Sequence, residues 1–312
     1  MFSMLTFIQE LVLMYMIGLL GYLLRKKGIL QSGSEGVLTS LILYVTLPAL
    51  ILYGMDIPFS ITSLKHFLWL SLMSFSILTV SSIIAFLTVR RLRAGKLRRN
   101  ALEGIMIFGN QGFLGVAISY LLFGKNGVLL ATLFNFVYLI FIWTYAIYLF
   151  ARAAETIQWR KVFFNPGILA TLLGLILLLL PGTLPHVLQD TLEMLGKPTV
   201  PLSMLLIGVL LGGMNAKVLQ QFVKDRYLWL ASLYKLMLFP LLLLPFYWLS
   251  VPFELLTVAV ILAGMPSAPT ISIFAHQYRE DSSYAAAGVA ISTLLSIVTI
   301  PILYGLLYII MK

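Results

Sequence analysis

The chain has no cysteine among its 312 residues, which excludes disulfides and thiolate metal sites. Charge is scarce too: Asp, Glu, Lys and Arg make up 10% of the chain, against roughly 25% in soluble domains. Acidic residues are the scarcer sign, 11 against 21 basic ones. Glu10, Asp56, Glu103, Asp190, Glu193, Glu254 and Asp281 fall near the ends of apolar runs, and Glu35, Glu155, Asp225 and Glu280 fall in connections or at helix starts. No carboxylate is expected at mid-depth. That removes paired acids for hydrolysis and speaks against an antiporter built on buried aspartates. No two of the 3 histidines share a metal-ligand spacing, so no zinc site is expected. A phosphate-binding glycine loop with its lysine is absent, so ATP is not the energy source. No nucleophile–base pair is visible either, and an intramembrane enzyme is the least favoured class.

What is present is apolar. Hydrophobic residues make up 61% of the chain and the mean hydropathy is +1.01. Runs of about 20 apolar residues predict an all-α polytopic membrane protein. Ten transmembrane helices are expected, at 4–24, 35–54, 64–89, 101–122, 127–150, 165–181, 187–213, 226–249, 254–277 and 283–311. The first run has no basic residue before it, and Arg25, Lys26 and Lys27 follow it, so a retained helix is expected rather than a cleaved signal.

The basic residues set the orientation. The odd-numbered connections hold Arg25, Lys26, Lys27, then Arg90, Arg91, Arg93, Lys96, Arg98, Arg99, then Arg152, Arg160, Lys161, then Lys217, Lys224, Arg226, and Arg279. The even ones and the termini hold Lys65, Lys125 and Lys312. The positive-inside rule then puts both termini outside. The cluster at 90–99 reads as a topology determinant on anionic membrane lipids. It has no aromatic interleaving and no domain to present it, so no nucleic acid partner is expected. Five spans per half make 1–151 a first five-helix repeat and 162–312 an inverted second one. Landmarks recur at matched offsets: Pro48 with Pro201, Gly109 with Gly264, and Gly127 with Ser283.

One stretch does not suit a spanning helix. GIMIFGNQGFLGVAIS, residues 104–119, carries Gly109, Asn110, Gln111, Gly112 and Gly115 in an apolar setting. Each glycine weakens a helix by about 1 kcal/mol relative to alanine, and hydrocarbon offers the amides no partner. The matching stretch AGMPSAPT holds Gly264, Pro266, Ser267, Pro269 and Thr270. Paired interruptions in two halves point to a transporter site. Asn110, Gln111, Gly112, Lys197, Pro266 and Ser267 are the candidate substrate contacts, for the amides donate to a carboxylate, a half-helix N-terminus favours an anion and Lys197 supplies positive charge. The competing role for the amides is interhelical bonding. Lys197 and Lys235 lie nine or ten residues into their spans, near mid-depth at 1.5 Å per residue. Each either complements an anion or snorkels to an interface. Pro48 and Pro201 read as matched kinks, Pro269 as part of the break, and Asn135, His66 and His276 as packing or interface residues.

At VTLPAL, GNQGFLG, NPGILATLLGLILLLLPGTLP, PLSMLLIGVLLGG, AGMPSAP and GVAISTLLSIVTIPIL the chain resembles the auxin efflux carrier family, in its bacterial branch of malate- and malonate-type transporters. The resemblance covers nearly the whole chain. It implies a five-plus-five inverted repeat whose fourth and ninth spans are broken and cross at mid-membrane. It also implies a scaffold of 1–54 and 165–213, a moving transport domain of 64–151 and 226–312, an inner-membrane location and a homodimer. Asn110 matches the asparagine that opens the family's first break. Ala117 stands where the family has proline, so Gly109, Gly112 and Gly115 must permit the break or that span is more continuous here. The function expected is secondary transport of a small organic anion, a carboxylate, by alternating access. No cofactor is expected, and coupling to H+ or Na+ is open. The rival readings are a sodium-coupled bile-acid-type symporter, a membrane sensor or receptor, and a channel.

Overall fold

The computed structural model describes residues 4–57, 60–92, 95–151, 166–180 and 182–310. Arg93, Arg152, Glu155, Arg160, Lys161 and Lys312 lie outside the described residues. Among the described residues the secondary structure is helical and no strand forms; one isolated antiparallel bridge joins Gly109 and Ser267. A helix satisfies its own amides, which is what an apolar surround demands.

Seven helical runs among the described residues are long and apolar enough to cross a membrane: Phe7–Lys26, Ser34–Met55, Ile61–Arg91, Gln111–Phe150, His186–Gly213, Arg226–Leu249 and Ser282–Ile310. Pro166–Leu179 and Phe253–Ala263 are shorter apolar helices. Large apolar side chains such as Met16, Leu68 and Val298 are exposed. So many would associate in water, and facing lipid they are accommodated. The chain is therefore a multi-pass membrane protein. The run Gln111–Phe150 has 40 residues, about 60 Å of helix, twice the hydrocarbon thickness. It bends at Gly124, whose φ of 57° and ψ of −137° are not helical.

By contact the chain divides into two compact units. One comprises Met1–Leu68, Gly112–Phe136 and Trp159–Met214; the other comprises Trp69–Gln111, Val137–Gln158 and Asn215–Lys312. In the first, Met4–Lys26 packs along Thr199–Gly213. The backbones touch: a Cβ on Gly208 would stand 1.8 Å from the Gly18 carbonyl oxygen. Small residues at such a seam replace the hydrophobic drive that lipid does not supply. Leu47–Met55 packs on Pro166–Leu179 and His186–Gly196. Asp56, at its end, is buried and accepts from the Leu184 N–H at 2.9 Å, while its own carbonyl accepts from Lys125 Nζ at 2.9 Å.

In the second unit, Ser282–Ile310 packs against Lys96–Ile107, Arg226–Leu233 and Thr270–Gln277. The stretch read from sequence as a plain connection after 213 contains a short helix, Ala216–Val223. Its apolar residues recur at helical spacing, and Phe222 is buried edge-on against Tyr284, ring centroids 5.4 Å apart. Two π-helical turns, Ile42–Thr46 and Tyr234–Leu238, each stand just before a proline, Pro48 and Pro240. The wider turn takes up the missing donor and the ring's clash with the preceding turn.

Candidate functional site

Two helices stop inside the second unit at the stretches that sequence singles out. Lys96–Ile107 ends where Phe108 turns extended, φ −93° and ψ 115°. Phe253–Ala263 ends at Gly264. Helical structure resumes with the π turn Gln111–Gly115 and with Thr270–Gln277, for which Pro269 is the cap. The interruption precedes Ala117, which is fully buried within Val116–Phe141. Glycine and backbone pairing with the other interrupted segment make this break, so it needs no proline at 117.

The two interrupted segments pair with each other. The Asn110 N–H donates to the Pro266 carbonyl at 2.6 Å, and the Ala268 N–H donates to the Phe108 carbonyl at 3.0 Å. Side chains satisfy what remains, as buried backbone requires. Tyr138 Oη donates to the Gly109 carbonyl at 2.6 Å. Ser267 Oγ donates to the Ile105 carbonyl at 2.8 Å, and the Ser267 N–H donates to Ser292 Oγ at 3.0 Å.

Lys235 completes the arrangement. It rises from the π turn Tyr234–Leu238, is 3% exposed, and donates through Nζ to the carbonyls of Ile107 and Ala263, each at 3.1 Å. These are the last residues of the two interrupted helices, whose terminal carbonyls have no partner of their own. Gly109 is the residue that makes room, since a Cβ there would stand 2.9 Å from both Cε and Nζ of Lys235.

Among the predicted substrate contacts, Asn110, Gln111, Pro266 and Ser267 are brought together with Lys235 and Gly264 in this unit, all buried. The Asn110 side-chain amide has no hydrogen-bond partner among the described residues. Ser267, by contrast, has its hydroxyl committed to backbone. Gly112 follows directly in the chain, with open space where a Cβ would be, and Gly115 closes the π turn. Thr270 is half-buried at its helix start and Asn135 is buried in the first unit. Pro201 sits in the first turn of Thr199–Gly213.

Lys197 belongs to the first unit. It occupies the joint between His186–Gly196 and Thr199–Gly213, is half exposed, and forms an ion pair with Glu193 at 2.7 Å. Glu193 also accepts from Tyr53 Oη at 3.0 Å. The Lys197 charge is therefore met locally, by a carboxylate four positions earlier.

Sequence reasoning missed Tyr138 and Ser292. Neither has a local signal, because each answers a backbone group exposed by a break elsewhere in the chain. Glu103 is expected from sequence near the end of its span. It is buried, and its Oε1 accepts from Tyr145 Oη at 2.6 Å. No group of three or more metal-ligating side chains occurs among the described residues.

The chain matches the sequence model of the family described as "Membrane transport protein" over residues 6–304. It belongs to this family of membrane transporters. This is the auxin efflux carrier family that its motifs resemble. An uncharacterized transporter from Methanothermobacter thermautotrophicus is 29% identical over 294 residues, 91% of this chain and 93% of the relative. Another, from Methanocaldococcus jannaschii, is 24% identical over 300 residues, 90% of this chain and 92% of the relative. The transporter thus aligns with these relatives nearly end to end, and both breaks lie inside the matched region.

Proposed function

We propose that the transporter is a secondary carrier of a small organic anion, a carboxylate, which binds at the paired breaks and crosses by alternating access. The observation that carries this reading is Asn110: an amide buried at a helix interruption, without a side-chain partner among the described residues. The electrostatics favour an anion. Lys235 answers the negative ends of the interrupted helices, and the helix starts after the breaks, at Gln111 and Thr270, present the positive ends of their dipoles. With Lys197 already paired to Glu193, Lys235 is the cation of the site. The reading includes ten spans in two inverted repeats of five, a scaffold of 1–54 and 165–213, a moving part of 64–151 and 226–312, and a homodimer in the cell membrane.

The test is a melting panel on purified protein with dicarboxylates, monocarboxylates, aromatic acids and amino acids. A ligand that binds the folded state raises the melting point with its occupancy. A carboxylate shift is expected, followed by flux of that acid in liposomes. Asn110→Ala removes a hydrogen bond to a charged group, worth about 1.5–3 kcal/mol, so affinity should fall roughly 10- to 100-fold. A full carboxylate shift in Asn110→Ala would sink the reading.

A further inference from the structure

We propose that Lys235 is a tethered cation that occupies the place a coupling metal ion takes in ion-driven carriers, so that this transporter works without Na+. In carriers with discontinuous helices, half-helix C-terminal ends and unwound carbonyls coordinate the coupling ion. Here the last carbonyls of both half-helices, Ile107 and Ala263, converge on one atom, Lys235 Nζ. The N–H groups that would have closed those helices are engaged elsewhere: Gln111 N–H with the Gly109 carbonyl at 2.8 Å, and Ser267 N–H with Ser292. Each helix end carries about half a negative charge. The two together match one ammonium, and no carboxylate among the described residues stands within ion-pair reach of it.

Space is arranged for this cation as well. Gly109 leaves the gap that Cε and Nζ fill, and the π turn Tyr234–Leu238 carries the side chain. Glutamine also donates, but it is uncharged and one bond shorter, so it does not reproduce an ammonium held between both carbonyls. A charge buried at this depth is costly unless it is answered, and here the helix ends answer it.

The experiment uses the full chain in detergent. Its melting point is measured in NaCl, KCl and choline chloride at one ionic strength, for wild type, Lys235→Ala and Lys235→Gln. Wild type should melt alike in all three salts. Lys235→Ala should melt several degrees lower and recover, saturably, with n-propylammonium, which restores the missing carbons and charge. 1-Propanol should not rescue it. Lys235→Gln should remain destabilised, because its amide is uncharged and one bond short of the two carbonyls; the comparison of propylammonium with propanol separates charge from reach. Stabilisation of wild type by Na+ over choline would overturn the proposal. So would rescue by 1-propanol as strong as by propylammonium, or a Lys235→Gln variant that melts like wild type. If Lys235→Ala does not fold, the sodium comparison on wild type and Lys235→Gln still decide. Only the flux arm rests on the carrier reading: uptake of the identified acid should be equal in Na+ and choline. Melting needs no substrate. A missing carboxylate shift with intact propylammonium rescue would therefore remove the substrate reading and leave the role of Lys235 standing.

Discussion

Gly109 shows how one residue serves several partners. Its carbonyl accepts from Tyr138 and Gln111, its backbone bridges to Ser267, and its missing side chain admits the tip of Lys235. Gly109→Ala should destabilise by about 1–3 kcal/mol through overpacking, because the added methyl meets Lys235 and stands 3.1 Å from the Met265 carbonyl oxygen. Gly112→Ala, three positions on, meets nothing within 4 Å and should change stability by only about 0.5 kcal/mol or less. Melting of the two variants, with Gly109→Ala repeated in a Lys235→Ala background, checks this. The cost at 109 should shrink once the lysine tip is gone, as coupled neighbours do. Equal costs at 109 and 112 would contradict the packing described. Asn110 and Gly109 were legible in the sequence because polar and flexible residues are out of place in an apolar run. The partner of Lys235 was not legible, since 128 positions separate it from Ile107.

At the scale of elements, the half-helix Lys96–Ile107 is anchored at both ends. Its far end is held by Lys235. Its start is tied to the turn before Ser282–Ile310: Arg98 Nε donates to Asp281 Oδ2 at 2.9 Å, and Asn100 Nδ2 donates to Glu280 Oε1. Asp281 also caps the last helix through the Tyr284 N–H at 2.9 Å. Burial pushes the Glu280 carboxyl up to about 7, against the opposing bonds from Asn100 and the Ala101 N–H. The folded protein thus holds a proton there that the unfolded chain, near 4.5, gives up. Stability from this group is complete below pH 4.5 and is lost as pH rises through 7. Melting followed from pH 5 to pH 8 should fall in wild type and fall less in Glu280→Gln; parallel curves would remove Glu280 as the cause. The helical runs themselves were readable from their length and hydropathy. The helix Ala216–Val223 was not, because eight residues between two long apolar runs carry too little signal to separate helix from loop.

At the scale of the whole molecule, the asymmetry of the basic residues is the feature that acts over its full length. By the positive-inside rule we propose that the connection after the first helix lies in the cytoplasm and the one before His186 outside. The absence of cysteine makes the test direct. Gln31→Cys and Thr183→Cys, both at exposed positions, each provide a single thiol. In intact cells an impermeant maleimide should label Thr183→Cys at once, and Gln31→Cys only after permeabilisation. The reverse pattern would invert the topology. Function at this scale follows from family membership and from nearly end-to-end alignment with two transporters.

The sequence by itself determined that this is a multi-pass helical membrane protein. Hydropathy is a local quantity, summed along runs of about 20 residues, and needs no knowledge of contacts. It also marked where the helices at 104–119 and 263–270 would fail, because a glycine–amide or glycine–proline cluster weakens a helix wherever it lies. The tertiary structure decided how those failures are repaired. Pairing of Asn110 with Pro266 and of Ala268 with Phe108, and the bonds from Tyr138, Ser292 and Lys235, join positions remote in the chain. Only folding brings such groups within hydrogen-bond reach, so no periodicity or motif announces them. The two lysines make the same point. Each stands nine or ten residues into an apolar run, yet one is paired with Glu193 four positions before it and the other holds the ends of two broken helices.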